Sequence, residues 1–309
     1  MLDGAMATEL EVRGANLHDP LWSAKLLVEN PALIEEVHYD YFRAGADIAI
    51  TASYQATFEG FAQRGIEGKQ AADLMHLSIR LAASARDRYW EQLQASENRL
   101  RPLVAVSIGP YGAWLHDGSE YRGDYDLSIQ ELIDFHRPRM ELFAESIRAG
   151  EADLFAFETI PCLAEAEAIV HLLVEIHDVP AWISFSCCDG KHICYGESFA
   201  ESIEMVSNCD QVVAAGLNCT SPRFVMDLLQ SVDAKITTPL VVYPNSGESW
   251  DAQSGHWSPE SKVNGMGEMS TQWHTVGAKL IGGCCRTTPE DIREMCSALR
   301  NMNHIARIR

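Results

Sequence analysis

The sequence predicts an α/β protein, a (β/α)8 TIM barrel with a shortened first strand, on three observations. Short β-branched or aromatic runs alternate with longer amphipathic stretches, the pattern of a parallel sheet covered by helices. Seven strands and eight helices are visible, one strand short of eight pairs. The length, 309 residues, accommodates one barrel of about 250 residues. No Pro/Gly/Ser-rich linker, low-complexity tract or long repeat divides the chain, so residues 1–309 are expected to form a single domain.

The strands are the short apolar runs Ile48–Ser53, Leu103–Ser107, Leu154–Phe157, Ala181–Phe185, Val212–Leu217, Leu240–Tyr243 and Lys279–Ile281. The helices are the longer stretches Pro31–Ala44, Lys69–Leu93, Ile129–Ala149, Leu163–Ile176, Ser198–Asn208, Pro222–Val232, Glu268–Val276 and Pro289–Asn301. The missing strand has to be the first, and only Met1 and Leu2 precede the polar Asp3-Gly4 step. A strand usually has about 5 to 6 residues. Such a stub is expected to leave the strands on either side with unpaired edge groups, and on that ground the native chain is expected to begin upstream of Met1. Two long, polar, glycine-bearing loops, Gly109–Asp126 and Pro244–Gly267, follow strands, which in a barrel places them at the C-terminal rim where active sites form.

Composition narrows the function. With 24 Lys+Arg against 44 Asp+Glu the formal charge is −20, which repels phosphate backbones and anionic lipid, so neither nucleic acid nor a membrane is an expected partner. The longest apolar runs fall far short of the roughly 18 residues that span a bilayer. Asp3 and Glu9 stand where an export signal needs a basic and then an apolar region. Nine cysteines are an odd number, too sparse for a disulfide scaffold in a chain of this size. Reduced thiols and a cytoplasmic location follow, with metal binding or catalysis as possible uses for the cysteines.

Polar residues cluster at strand ends: Asp3, Thr51 to Tyr54, Glu158, Asn218-Cys219, Tyr243 to Asn245 and Cys284-Cys285. Each alone reads as a cap or turn residue, but a barrel would gather all of them on one rim. The sharpest signal is Gly282-Gly283-Cys284-Cys285-Arg286 after the last strand, paired with Gly216-Leu217-Asn218-Cys219-Thr220 two strands earlier. Three thiolates suit zinc and leave one tetrahedral position open, as catalytic sites do. Cys284 and Cys285 can share a metal only if the backbone leaves strand geometry, which the two glycines permit. A redox-active vicinal pair and simple buried cysteines are the competing readings. Cys187-Cys188 is a second pair, without the glycines and followed by an ordinary Asp189-Gly190 turn. Cys162, Cys194, Cys209 and Cys296 share no recurring context, and the 11 histidines form no metal or catalytic motif. Glu158 closes an apolar run, where its carboxylate either receives a substrate ammonium or makes a rim salt bridge.

Together these segments, with Asp3-Gly4-Ala5-Met6-Ala7-Thr8-Glu9-Leu10, Ile50 to Thr57, Ser107 to Ala113, Glu158-Thr159 and Tyr243-Pro244-Asn245-Ser246-Gly247-Glu248, resemble the homocysteine S-methyltransferase family from Asp3 to the last helix. The loop Gly118 to Tyr125 is similar to the branch that uses S-methylmethionine. The resemblance implies a zinc-dependent barrel in which Cys219, Cys284 and Cys285 hold Zn2+ and the homocysteine sulfur is the fourth ligand. It further implies that Asp3 and Glu158 hold the substrate ammonium and that the Gly4-Ala5 backbone receives its carboxylate. Trp22 and Tyr54 match aromatic donor-site positions of the betaine-using branch. Their faces would hold the sulfonium loosely enough for transfer. The implied activity is methionine formation from homocysteine with S-methylmethionine, and S-adenosylmethionine as a second donor. Three alternatives remain: a selenocysteine methyltransferase, a non-catalytic zinc-thiolate binding protein, and a carboxylate-using lyase built on Asp3 and Glu158.

Overall fold

The structure is a computed structural model that describes residues 1–17, 19, 21–93, 99–251, 256–258, 263 and 265–306. Its centre is a parallel seven-stranded sheet in the order β1 (Ile48–Ile50), β2 (Leu103–Ile108), β3 (Leu154–Ile160), β4 (Ala181–Phe185), β5 (Val212–Asn218), β6 (Leu240–Tyr243) and β9 (Ala278–Ile281). Helices alternate with these strands, as the spacing predicts. Each of the eight expected helices is present with ends shifted by a few residues, and Pro222–Val232 divides into a 3₁₀ turn and the helix Val225–Ser231. The first strand stops at Ile50 rather than Ser53 because Thr51 to Tyr54 turn away, whereas β3 runs on to Ile160.

Alternate residues of the strands bury on opposite faces. Val104, Val106, Phe155, Phe157, Ile183, Leu217 and Val242 join the large core against the helices. Ala105, Leu154, Ala156, Trp182, Ala214, Val241 and Tyr243 form a second core with Leu2, which strands alone supply. A sheet buried on both faces needs near-continuous apolar strands, and β3 and β4 have no exposed residue.

The N-terminal residues correct one expectation. Rather than leaving the flanking strands unpaired, they bond to both: Leu2 N–H donates to Ile281 O (2.8 Å), and Asp3 N–H donates to Ile48 O (3.1 Å). Gly283 N–H returns a bond to Asp3 O (3.1 Å), and Leu2 forms a parallel bridge with Ile48. Three residues suffice because the Asp3 carboxylate stands in for the next carbonyl, accepting from Ile50 N–H at 2.8 Å.

Sequence periodicity missed the short helices Met6–Val12, Phe58–Ala62 and Tyr111–Leu115, each too brief to show a repeat. The predicted loop Pro244–Gly267 lies partly outside the described residues; its described part includes an antiparallel pair, β7 (Ser249–Asp251) with β8 (His256–Ser258). Among the described residues no helix is long and apolar enough to cross a membrane.

Candidate metal centre and substrate site

Strands β5 and β9 flank β6, so the ends of two alternate strands bring the cysteines together. The Sγ atoms of Cys219, Cys284 and Cys285 all lie within 4.8 Å of one another, with Cys219 and Cys285 3.5 Å apart. Thiolates each about 2.3 Å from one tetrahedral ion would be about 3.8 Å apart, so this donor set fits zinc. The thiols hydrogen-bond to one another, contacts that pull in opposite directions, and burial adds to a net push of all three well above the ordinary thiol range. Three neighbouring thiolates without a cation are unfavourable; a divalent ion removes that penalty.

The backbone that presents them leaves strand geometry, as sharing one ion requires. Strand β9 ends at Ile281, and the chain turns at Cys285-Arg286, with Thr287 N–H donating to Cys284 O at 3.0 Å. The glycines act differently from the expectation. Neither Gly282 nor Gly283 has a positive φ; what matters is space. A Cβ on Gly282 would lie 2.6 Å from Leu2 Cβ, and one on Gly283 would lie 2.3 Å from Thr287 Oγ1. The left-handed positions fall instead on Cys219 (φ 48°), Arg286 (φ 66°) and Thr159 (φ 61°), a conformation that costs a non-glycine residue about 1 to 3 kcal/mol and that clusters at functional sites.

The Tyr243 to Glu248 run clamps this turn. Pro244 O accepts from Cys284 N–H (2.8 Å), Cys285 O accepts from Ser246 N–H (3.0 Å), and Arg286 Nε donates to Glu248 Oε2 (2.5 Å). Thr8 Oγ1 accepts from Arg286 N–H (3.1 Å), which ties in the first helix. Cys187 and Cys188 stay apart from the cluster: the Cys188 thiol faces Ile193 O at 3.4 Å.

Asp3 and Glu158 are both buried, 2% and 8% exposed. Burial pushes the Asp3 carboxyl well above its usual range, and the neighbouring charge of Glu158 adds to that. Burial likewise pushes Glu158 up to about 7, although Ser107 Oγ and the Tyr243 hydroxyl hydrogen-bond to it. The Glu158 charge also acts on Cys284, so this carboxyl pair adjoins the thiols. Ala5 N–H lies 3.3 Å from Thr287 Oγ1, and Ala5 O accepts from the Tyr41 hydroxyl at 3.1 Å, which holds the Gly4-Ala5 step against the cysteine turn. Tyr54 packs edge-on against Trp22, ring centroids 6.2 Å apart, and its hydroxyl is acted on by Glu120, Cys219 and Glu158. Asp3, the Gly4-Ala5 step, Tyr54 with Trp22 against it, Glu158 and the three cysteines thus fall in one neighbourhood, and the pair Cys187-Cys188 does not.

Four supporting residues carry roles that the sequence did not assign. Asn218, seen there only as a strand-end polar residue, accepts through Oδ1 from Thr159 N–H (2.6 Å) and Ser184 Oγ (2.9 Å). Its Nδ2 donates to Thr159 Oγ1 (2.8 Å) and reaches Cys284 Sγ (3.9 Å). Tyr243 hydrogen-bonds Trp182 Nε1 (3.0 Å) and Ser184 Oγ (2.5 Å) beneath Glu158. Tyr121, from the long loop after β2, sets its hydroxyl 3.0 Å from Cys219 Sγ, and Glu120 stands beside it. A polar residue ending a buried strand was the available signal for Asn218 and Tyr243; for Glu120 and Tyr121 it was the loop Gly118 to Tyr125, which the sequence marked as a whole without giving either residue a role.

Comparison with known proteins agrees. The family model described as homocysteine S-methyltransferase matches residues 1–299. The chain is 51% identical over 302 residues to homocysteine S-methyltransferase YbgG of Bacillus subtilis, covering 98% of this chain and 95% of that protein. It is 50% identical over 293 residues to the homocysteine S-methyltransferase of Escherichia coli, covering 94% and 92%. The crystal structure of the metallated form of the homocysteine methyltransferase MmuM from Escherichia coli superposes with a TM-score of 0.82 at 47% identity, covering 96% of this chain and 94% of that one.

Proposed function

Since the chain belongs to the homocysteine S-methyltransferase family, we propose that it is a zinc-dependent enzyme that transfers a methyl group from S-methylmethionine to homocysteine, with S-adenosylmethionine as a second donor. The observation that carries this reading is the cluster of three thiols within 4.8 Å beside two buried carboxyls. Cys219, Cys284 and Cys285 would hold the metal, and zinc bound there would supply a Lewis acid that deprotonates a substrate thiol at neutral pH.

The protein's own residues do the rest. Asp3 and Glu158, raised by burial in the free protein, pair with the homocysteine ammonium, whose positive charge favours their ionised forms. The Gly4-Ala5 backbone receives the carboxylate. Trp22 and Tyr54 turn aromatic surface to the donor, whose charge disappears on transfer, so a weak cation–π contact does not trap the ground state. The methyl–sulfur bond of the donor breaks with its electron pair left on the donor sulfur, and the same carbon bonds the acceptor sulfur. The leaving thioether is neutral, so no side chain has to protonate it. That agrees with a chain whose histidines form no catalytic motif.

Leu2, bonded to both edge strands, supports reading the fold as an eight-stranded (β/α)8 barrel with a minimal first strand, formed by residues 1–309 as one domain. Thiols that must remain reduced fit the cytoplasm. The test is a donor panel: zinc-loaded protein with homocysteine and S-methylmethionine, S-adenosylmethionine or betaine, scored by methionine formed. Highest kcat/KM with S-methylmethionine is expected; a preference for betaine, or no methionine from any donor, contradicts the reading.

A further inference from the structure

Glu120 lies in the 3₁₀ turn Ser119–Tyr121, part of the long loop between β2 and the helix Ile129–Arg148. The turn is firmly held. Ser186 Oγ donates to Glu120 O (2.9 Å), and Gly112 approaches so closely that a Cβ there would lie 2.4 Å from Glu120 N. The nearest cation in sequence, Arg122, is already taken: its guanidinium donates to Asp117 O (3.1 Å), Ser119 Oγ (2.8 Å) and Asp124 Oδ1 (3.2 Å).

The Glu120 carboxyl forms no ion pair among the described residues, and the charge of Arg122, committed to Asp117 and Asp124, acts on it only weakly. Its Oε2 is buried and has no hydrogen-bond partner among the described residues, and the carboxyl is steadied by its own backbone N–H. Burial, reinforced by Asp117 and only partly offset by Arg122, pushes it up to about 7. Such a carboxyl costs stability unless something binds it. Its surroundings indicate what. Glu120 is the strongest charge acting on the Tyr54 hydroxyl, Tyr54 packs on Trp22, and the next residue, Tyr121, touches Cys219. Glu120 therefore belongs to the aromatic side of the site, next to the thiols but with none of the direct contact that Tyr121 makes.

The proposed substrates add a chemical count. Homocysteine and S-methylmethionine each carry an α-ammonium as well as a sulfur. Asp3 and Glu158 adjoin each other and serve one ammonium; the second needs a carboxylate elsewhere. We propose that Glu120 receives the α-ammonium of the sulfonium donor, and so selects a donor with an amino-acid head group over a simpler sulfonium. This inference rests on the methyltransferase reading above.

The test compares S-methylmethionine with 3-dimethylsulfoniopropionate, which has the sulfonium and a carboxylate but no ammonium, using zinc-loaded protein and saturating homocysteine. The unaltered protein is expected to favour S-methylmethionine by roughly 10- to 100-fold in kcat/KM, the worth of one charge-assisted hydrogen bond. Glu120→Gln should erase most of that ratio through the KM of S-methylmethionine and leave the homocysteine KM in place. Glu120→Asp, which keeps the charge, should restore part of it. An equal loss for both donors, or a ratio that Glu120→Gln does not change, overturns the assignment and makes the residue a support for the turn. Failure of the unaltered protein to make methionine from any donor would overturn the methyltransferase reading itself, and this inference with it.

Discussion

Glu158 is under two opposing demands, because the carboxylate that would bind a substrate ammonium is held in a site where ionisation is unfavourable. Burial raises it from an ordinary 4.5 to about 7. The folded form therefore holds its proton over a range where the unfolded chain has lost it, and stability falls as pH rises from about 4.5 to about 7, then levels. For one group the total is about 3 kcal/mol, from a shift of about 2.5 pH units at 1.36 kcal/mol each. Metal-free, substrate-free Glu158→Gln should show a shallower slope, the remainder coming from Asp3 and Glu120, and resist urea better than the parent at pH 8. In the zinc-loaded enzyme the same change should raise the homocysteine KM about tenfold or more. Denaturation midpoints that track the parent at every pH, or an unchanged homocysteine KM, would show that Glu158 does neither.

At the scale of elements, the turn after β9 depends on two missing side chains. Thr287 Oγ1 accepts from Ala5 N–H and donates to Cys284 O (2.7 Å), so it joins the chain's start to the cysteine turn. Gly283→Ala would place a methyl group 2.3 Å from that oxygen. The expected outcome is a stability loss of about 1 to 3 kcal/mol together with faster zinc loss on dialysis; a variant that matches the parent in both would remove the glycine from the account. The residue pattern Gly-Gly-Cys-Cys was legible in the sequence, and so were the strands, because burial on both faces makes each one a short, near-continuous apolar run. The reason for the glycines was not legible. It lies in contacts with Leu2, Asp3 and Thr287, which only the folded chain brings near. The loop holding Glu120 and Tyr121 was legible as part of the rim, but their individual roles were not, because those come from where an irregular loop lands. The pairing of residues 1–3 also escaped pattern reasoning, since a carboxylate replacing a carbonyl in a ladder leaves no periodic trace.

Across the whole molecule, residues from the first turn of the chain to the last strand converge on one end of the sheet, and the family relationship runs along nearly all of that length. The central claim is that three cysteines from two alternate strands hold a zinc ion with room for the substrate sulfur. X-ray absorption at the zinc edge tests it directly. The account predicts about one zinc per chain bound by three sulfurs and a lighter atom, with a fourth sulfur appearing when homocysteine is added. Cys284→Ser should remove the metal and Cys188→Ser should not. Zinc already bound by four protein ligands, a spectrum that homocysteine leaves unchanged, or full occupancy in Cys284→Ser would contradict it.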